Sequence, residues 1–303
     1  MSRHSNKLVA LGLAVVLLMT LAGIILAVVL AGRGGDAFAL GGRIALIELD
    51  GVLGDDREYL EQIRRFREDS SVKGYVLAIN SPGGVVGPAQ SLYHELKRLS
   101  EEDGEPVVAS IGGVGASGGY YVALAADSIF ALPGSITGSI GVLLEVPNAS
   151  ELMAKIGVQV DVVKSAEHKD AGSPFRPLTP EDREMLAGVV VDLYEQFVEV
   201  VATERNLDPD VVRRIADGRI LSGRQALEYG LVDRIGNLHD ALAAAGRMAG
   251  LGERPRVVRP PRDEFTLLDL ILGRGTTGAL GRLARSLGDA AEPRLKYAVP
   301  YWH

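Results

Sequence analysis

Residues 75–84 read Tyr75-Val76-Leu77-Ala78-Ile79-Asn80-Ser81-Pro82-Gly83-Gly84. Five apolar residues without a charge, closed by a cluster of turn formers, read as a buried strand running into a tight turn. Upstream, Arg43 to Leu49 (RIALIEL) has the same character and ends at Asp50-Gly51. Between the two, Tyr59, Leu60, Ile63 and Phe66 recur at helical spacing. Downstream, a helix is predicted from about Pro88 to Ser100, followed by a strand from Pro106 to Ile111. Strands that alternate with helices of this length form βαβ units, with a parallel sheet covered on both faces and right-handed crossovers. The fold class is therefore α/β.

Further strands are predicted over Ser128–Leu132, Ile140–Val146 and Val158–Val163. The clearest helix runs from Thr179 to about Arg205. It has an N-cap (Thr179), Pro180 at its first position and acidic residues in its first turn. Its predicted core stripe is Leu186, Val189, Val190, Leu193, Phe197 and Val201. Short helices follow over 208–250. Past Gly252, Arg254-Pro255, Pro260-Pro261 and the glycines from 273 to 278 break any long element. Residues 251–303 are expected to be a tail packed on a partner or on the domain, with Phe265–Leu272 as a short docking helix.

Composition narrows the chemistry. The 303 residues carry 32 basic and 39 acidic side chains, a net charge of −7, which argues against a nucleic-acid partner. The absence of Cys removes disulfides, thiolate nucleophiles and Cys-ligated metals. Five scattered histidines have no ligand spacing, which argues against a His-rich metal site, and no cofactor is expected. From Leu8 to Gly32 there are 25 residues without a charge, enough to cross a bilayer as one helix. Arg3 and Lys7 precede this span and favour a cytoplasmic N-terminus at 1–7, a single-pass anchor at 8–32 and a tether at 33–42. The folded domain from 43 to 250 is then expected on the outer side of the cytoplasmic membrane. The alternative is a signal peptide cleaved near Ala37-Phe38-Ala39.

Two glycine-rich strand ends can carry chemistry. Gly115-Ala116-Ser117-Gly118-Gly119 follows the strand at 106–111 and opens a helical stretch from Tyr120 to Ala126. Small neighbours there expose the Ser117 oxygen beside unpaired backbone N–H groups. The other end is Asn80-Ser81-Pro82-Gly83-Gly84, whose glycines allow consecutive N–H groups to turn outward toward an oxyanion. The string also satisfies G-x-S-x-G, but Asp233 and His239 are only six residues apart and His168 has no acid suitably before it, which disfavours an α/β-hydrolase triad. A lysine can deprotonate a serine if its pKa is lowered. Lys169 lies just after the strand predicted to end near Val163, and spacing alone does not select it over Lys155 or Lys164.

The string G-A-S-G-G-Y-Y, preceded by N-S-P-G-G and followed by T-G-S-I-G, S-A-E-H-K-D and ADGR…GRQA, resembles the signal peptide peptidase A family of membrane-anchored serine peptidases. The resemblance runs from about Arg43 to Gly250 and matches the short, single-domain form. It implies a Clp/crotonase-like fold, Ser117 as nucleophile, Lys169 as general base and Ser139 as the residue orienting the lysine. Backbone N–H groups of Gly84 and Gly118 are implied as oxyanion donors. It also implies a ring-like homo-oligomer, with Ser117 and Lys169 meeting across a subunit boundary, and hydrophobic substrates such as remnant signal peptides at the lipid surface. Other readings of this fold are a Clp-type Ser-His-Asp triad, which would need a His in 133–137 where there is none, an acyl-CoA-binding crotonase, and a non-catalytic anchored scaffold.

Overall fold

The computed structural model describes residues 18–20, 41–260 and the backbone of 295–298. Leu18–Thr20 are helical; the rest of the 8–32 span and the Phe265–Leu272 segment lie outside the described residues. Among those described, no helix is long and apolar enough to cross a membrane.

The elements alternate as the sequence predicts through the first half of the domain: β1 (Arg43–Asp50), α1 (Arg57–Glu68), β2 (Val72–Ser81), β3 (Gly83–Val85), α2 (Val86–Glu101), β4 (Val107–Ala116), α3 (Gly118–Ala123) and β5 (Ser128–Ala131). Then come β6 (Ile136–Gly138), β7 (Leu143–Leu144), α4 (Ser150–Lys155), a 3-10 turn at Glu167–Asp170 and α5 (Pro180–Arg205). The last elements are α6 (Pro209–Ile215), β8 (Ile220–Ser222), α7 (Gly223–Glu228), β9 (Arg234–Ile235), α8 (Leu238–Met248), β10 (Arg256–Val258) and β11 (Leu295–Ala298).

The main sheet has the order β10-β1-β2-β4-β5-β9, with every pair along it parallel. Strand periodicity sends alternate residues to opposite faces. Ala45, Ile47, Leu49, Tyr75, Leu77, Ile79, Ala109 and Ile111 face one core layer with residues of α1, α2, α3 and α5. Ile44, Leu46, Val76 and Val108 face the other, closed by Ala241, Ala244 and Ala245 of α8. Tyr93, Tyr121 and Phe197 stack edge to face, with ring centroids 5.3 and 5.0 Å apart, and tie α2, α3 and α5 together.

Three expectations need correction. Ile140–Val146 is not one strand. The pairing residues there are Ile136–Gly138 and, separately, Leu143–Leu144. Gly138 and Ser139 both have positive φ, 73° and 50°, and turn the chain out of the ladder between them. Val158–Val163 forms no strand: it has the alternating pattern, but among the described residues it has no pairing neighbour, and its valines are exposed. The predicted stripe of α5 is buried only toward its C-terminal end, where Phe197, Val198, Val201 and Ala202 enter the core. Val189 and Val191 are exposed, since the side of the helix they occupy is not covered by the core among the described residues. The helix starts as predicted, with reciprocal hydrogen bonds between Thr179 and Asp182, and it stops at Asn206 in the left-handed region.

Residues 256–258 extend the main sheet as β10, and β11 pairs antiparallel with β3 and with β7.

Candidate active site

The site is built where β4 changes partners. Its first half, Val108–Ile111, pairs with β5, and its last residues, Val114–Ala116, pair with β6. Ser135 and Thr137 hold this irregular end through their side chains. Ser135 Oγ donates to the Gly112 carbonyl at 2.5 Å, and Thr137 Oγ1 donates to the Gly115 carbonyl at 2.7 Å. Gly115 is required here, since a Cβ would lie 2.7 Å from Ile111 Cγ2.

Ser117 follows directly, between β4 and α3, with φ 52° and ψ −117°. A non-glycine residue in that conformation is strained, and such strain persists only where the surroundings over-determine it. The Ser117 N–H donates to the Gly138 carbonyl at 2.8 Å, and its own carbonyl accepts from the Tyr121 N–H at 2.8 Å. The residue is 1% exposed, and among the described residues its Oγ has no hydrogen-bond partner. Buried hydroxyls nearly always have one, so an orphaned oxygen on a strained turn is a reactive-group signature.

Ser139 lies one residue beyond Gly138, is buried, and donates its N–H to the Arg219 carbonyl at 2.8 Å. It borders a cleft of about 490 Å³ lined also by Val142, Leu143, Val190, Val191 and Tyr194.

On the opposite side of Ser117 lies the β2–β3 turn. Ser81 pairs in register with Gly115, and its Oγ accepts from the Gly83 N–H at 3.1 Å. Gly119, at the start of α3, sits so close to it that a Cβ would lie 2.8 Å from the Ser81 carbonyl oxygen. The Gly83 carbonyl accepts from the Leu53 N–H, and the Val85 N–H donates to the Leu53 carbonyl. Because strand groups alternate sides, Gly84 points its own N–H and C=O to the opposite edge, along which β11 lies. A Cβ at Gly84 would be 2.0 Å from the Leu53 carbonyl oxygen, so only glycine fits.

Four of the five residues expected in the site, Ser117, Gly118, Ser139 and Gly84, are thus gathered around one turn. Lys169 is not among them. It is exposed on the 3-10 turn between β7 and α5, and within this chain the Ser117 oxygen is not bonded to it.

The neighbours of Lys169 are firmly held. Asp170 accepts two bonds from Arg176, at 2.9 and 2.7 Å, and one from Lys164 at 2.8 Å. Asp182, whose side chain is 2% exposed, accepts from Arg176 at 2.5 Å and lies 3.3 Å from His168 Nδ1. Hydrogen bonds from Arg176 hold both carboxyls well below the usual carboxylate range. This ionic cluster was missed in the sequence, because Lys164, Asp170, Arg176 and Asp182 have no recognisable spacing. Asp233 and His239 are taken up elsewhere: Asp233 pairs with Arg205 and accepts from the Ile129 N–H, while His239 sits exposed at the start of α8.

A strained, buried serine with a free oxygen at a strand-to-helix turn, over a mostly parallel α/β sheet, is the arrangement of a nucleophilic hydrolase. Residues 100–252 match peptidase family S49. The chain is 44% identical over 211 residues to a protease-named protein of Synechocystis, covering 69% of this chain and 75% of that one. It is 37% identical over 213 residues to an Enterococcus faecium protein named for signal peptide peptidase SppA, covering 66% and 62%. Against Protease 4 of Salmonella typhi it is 34% identical over 256 residues, covering 82% and 41%. The chain therefore spans less than two thirds of the length of the last two. It belongs to peptidase family S49 and is a serine-type peptidase.

Proposed function

We propose that this chain is a membrane-anchored endopeptidase with a Clp/crotonase-like fold that cuts hydrophobic peptides, remnant signal peptides among them, through a Ser117/Lys169 dyad. The observation that carries the reading is the strained Ser117, with its buried oxygen unpartnered, between Ser139 and the glycine turn at 83–84. In the acylation step Ser117 Oγ bonds to the scissile carbonyl carbon as the neutral Lys169 amine takes its proton. The carbonyl oxygen gains the electron pair and is held by the N–H groups of Gly84 and Gly118. The lysine ammonium then protonates the departing amine as the C–N bond breaks. Water, deprotonated by the same amine, bonds to the acyl carbon, and Ser117 leaves with the proton returned by the lysine. Ser139 orients the amine between the two half-reactions.

Lys169 is supplied by a neighbouring subunit in this reading. Two observations support that: its exposure, and the exposed valines of 158–163 together with Val189 and Val191, which a second copy would cover. An extended peptide is expected to add as a strand between β3 and β7, where β11 now lies. The apolar cleft beside Ser139 suits hydrophobic side chains. The 8–32 span anchors the protein with its domain outside the cytoplasm, close to such substrates.

The test replaces Ser117 and, separately, Lys169 with Ala, then assays a fluorogenic hydrophobic peptide. Loss of turnover in both is expected, and full activity in either overturns the dyad. One observation favours a second reading: His168 and Asp182 lie 3.3 Å apart, as a histidine base and its orienting carboxylate would. His168→Ala separates the two, since it should abolish turnover only if the imidazole is the base.

A further inference from the structure

The residues on either side of Lys169 are each pinned, and both attachments converge on Arg176. Asp170 takes the Nε and Nη2 of Arg176 as a two-pronged pair. His168 leans on Asp182, whose other carboxylate oxygen takes Arg176 Nη1. Arg176 Nη1 also donates to the Pro177 carbonyl at 3.0 Å, and Lys164 Nζ donates to the Glu167 carbonyl at 2.7 Å while pairing with Asp170. On this turn the side chains of Glu167 and Lys169 reach out with no hydrogen bond or ion pair among the described residues, so the lysine head group is uncommitted.

Most of the segment from 156 to 169 is exposed and adds nothing to the core. Ordering each such residue costs about 1–2 kcal/mol of backbone entropy, with no apolar burial there to offset it. Polar attachment is what fixes the turn, and the anchor is firm because Asp182 is buried and also caps α5 through Thr179. A planar guanidinium can bind two carboxylates in fixed directions, which an ammonium cannot.

We infer that Arg176 is a positioning residue that aims Lys169, clamping Asp170 on one side of it to Asp182 at the start of α5. The inference rests on the reading of Lys169 as the base and deepens it. A base misplaced by about 1 Å loses on the order of 100-fold in rate, whereas peptide binding, which the clamp does not touch, is unaffected.

The experiment compares Arg176→Ala and the near-isosteric Asp170→Asn with the parent, in the assembled full-length protein and on the same fluorogenic peptide. In both, kcat is expected to fall about 10- to 100-fold with KM unchanged, and the double variant is expected to be no worse than the poorer single. A parental kcat in either variant overturns the inference, as does a rise in KM that accounts for the loss. If Asp170→Asn fails to assemble, the cluster serves folding and the inference also falls. Lys169→Ala is measured alongside. If it stays active, the dyad itself is wrong; if it is dead while Arg176→Ala is normal, only the positioning role fails.

Discussion

Ser117 has a conformation that a side chain adopts only under constraint, and the constraints are visible on both sides of it. Its N–H is committed to Gly138 and its carbonyl to Tyr121, which leaves the oxygen without a partner. Ser117→Ala should therefore lose at least about 1,000-fold in kcat. Its melting temperature should not fall, because no hydrogen bond is removed; a scanning calorimetry trace shows this directly. Gly84→Ala brings a Cβ to 2.0 Å from the Leu53 carbonyl, so β3 must shift and the Gly84 N–H proposed as an oxyanion donor must shift with it. Reduced turnover in a folded protein, read by peptide assay beside circular dichroism, is the expected result. At this scale the sequence was most legible. A serine between glycines, and a Pro-Gly-Gly strand end, announce backbone geometry that few other residues tolerate. Lys169 could not be singled out by spacing, because nothing local distinguishes one exposed lysine from another.

Elements hold these residues in place. The helix α3 is six residues long and fully buried, and its Tyr120 donates a 2.7 Å hydrogen bond to the Leu231 carbonyl. Tyr120→Phe leaves that buried carbonyl without its donor and should cost about 1–3 kcal/mol in chemical denaturation. The small sheet of β3, β11 and β7 leads to another expectation. A peptide adding to β3 must displace residues 295–298, so a chain ending before 291 should show a higher kcat/KM on peptide at low concentration. Steady-state kinetics on the truncated protein checks this. β11 has no counterpart among the elements predicted from the sequence, and its place beside Gly84 is decided by pairing. The missed elements share one cause. Val158–Val163 has the period of a strand but no pairing neighbour among the described residues, and Val189 and Val191 of α5 are exposed there too. Local pattern reports what a segment can form, and pairing decides what it does form.

At the level of the whole molecule, an exposed Lys169 and an unpartnered Ser117 make a specific prediction about assembly. If the site is shared, co-expressed Ser117→Ala and Lys169→Ala chains should regain activity, since about a quarter of the randomly formed boundaries join an intact serine to an intact lysine. Separately purified variants stay inactive, and so should the mixture if the site lies within one chain. The segment that presents Lys169 should also depend on pH. Arg176 holds the carboxyls of Asp170 and Asp182 below their ordinary value of 3.8. Their contribution is therefore present above about pH 4 and is lost as the pH falls through the lower folded values. Limited proteolysis between 164 and 182 should be slow at neutral pH and fast in acid below that point, before the core around the main sheet opens.

The amino-acid sequence by itself determined the α/β alternation, the parallel sense of the early strands, the long capped helix and the two glycine turns. Each depends on residues close together in the chain: hydrophobic period, cap chemistry and positive φ at glycine. Only the tertiary structure decided that β4 divides its pairing between β5 and β6, which sets Ser117 beside Gly138 and Ser139. It likewise decided that β11 lies along Gly84, and that Arg176 gathers carboxylates from either side of α5's start around Lys169. Those contacts join residues from 6 to more than 200 positions apart, by hydrogen bonds and charge pairs that carry no periodic signal. They form only once the sheet has brought their strands and turns within reach.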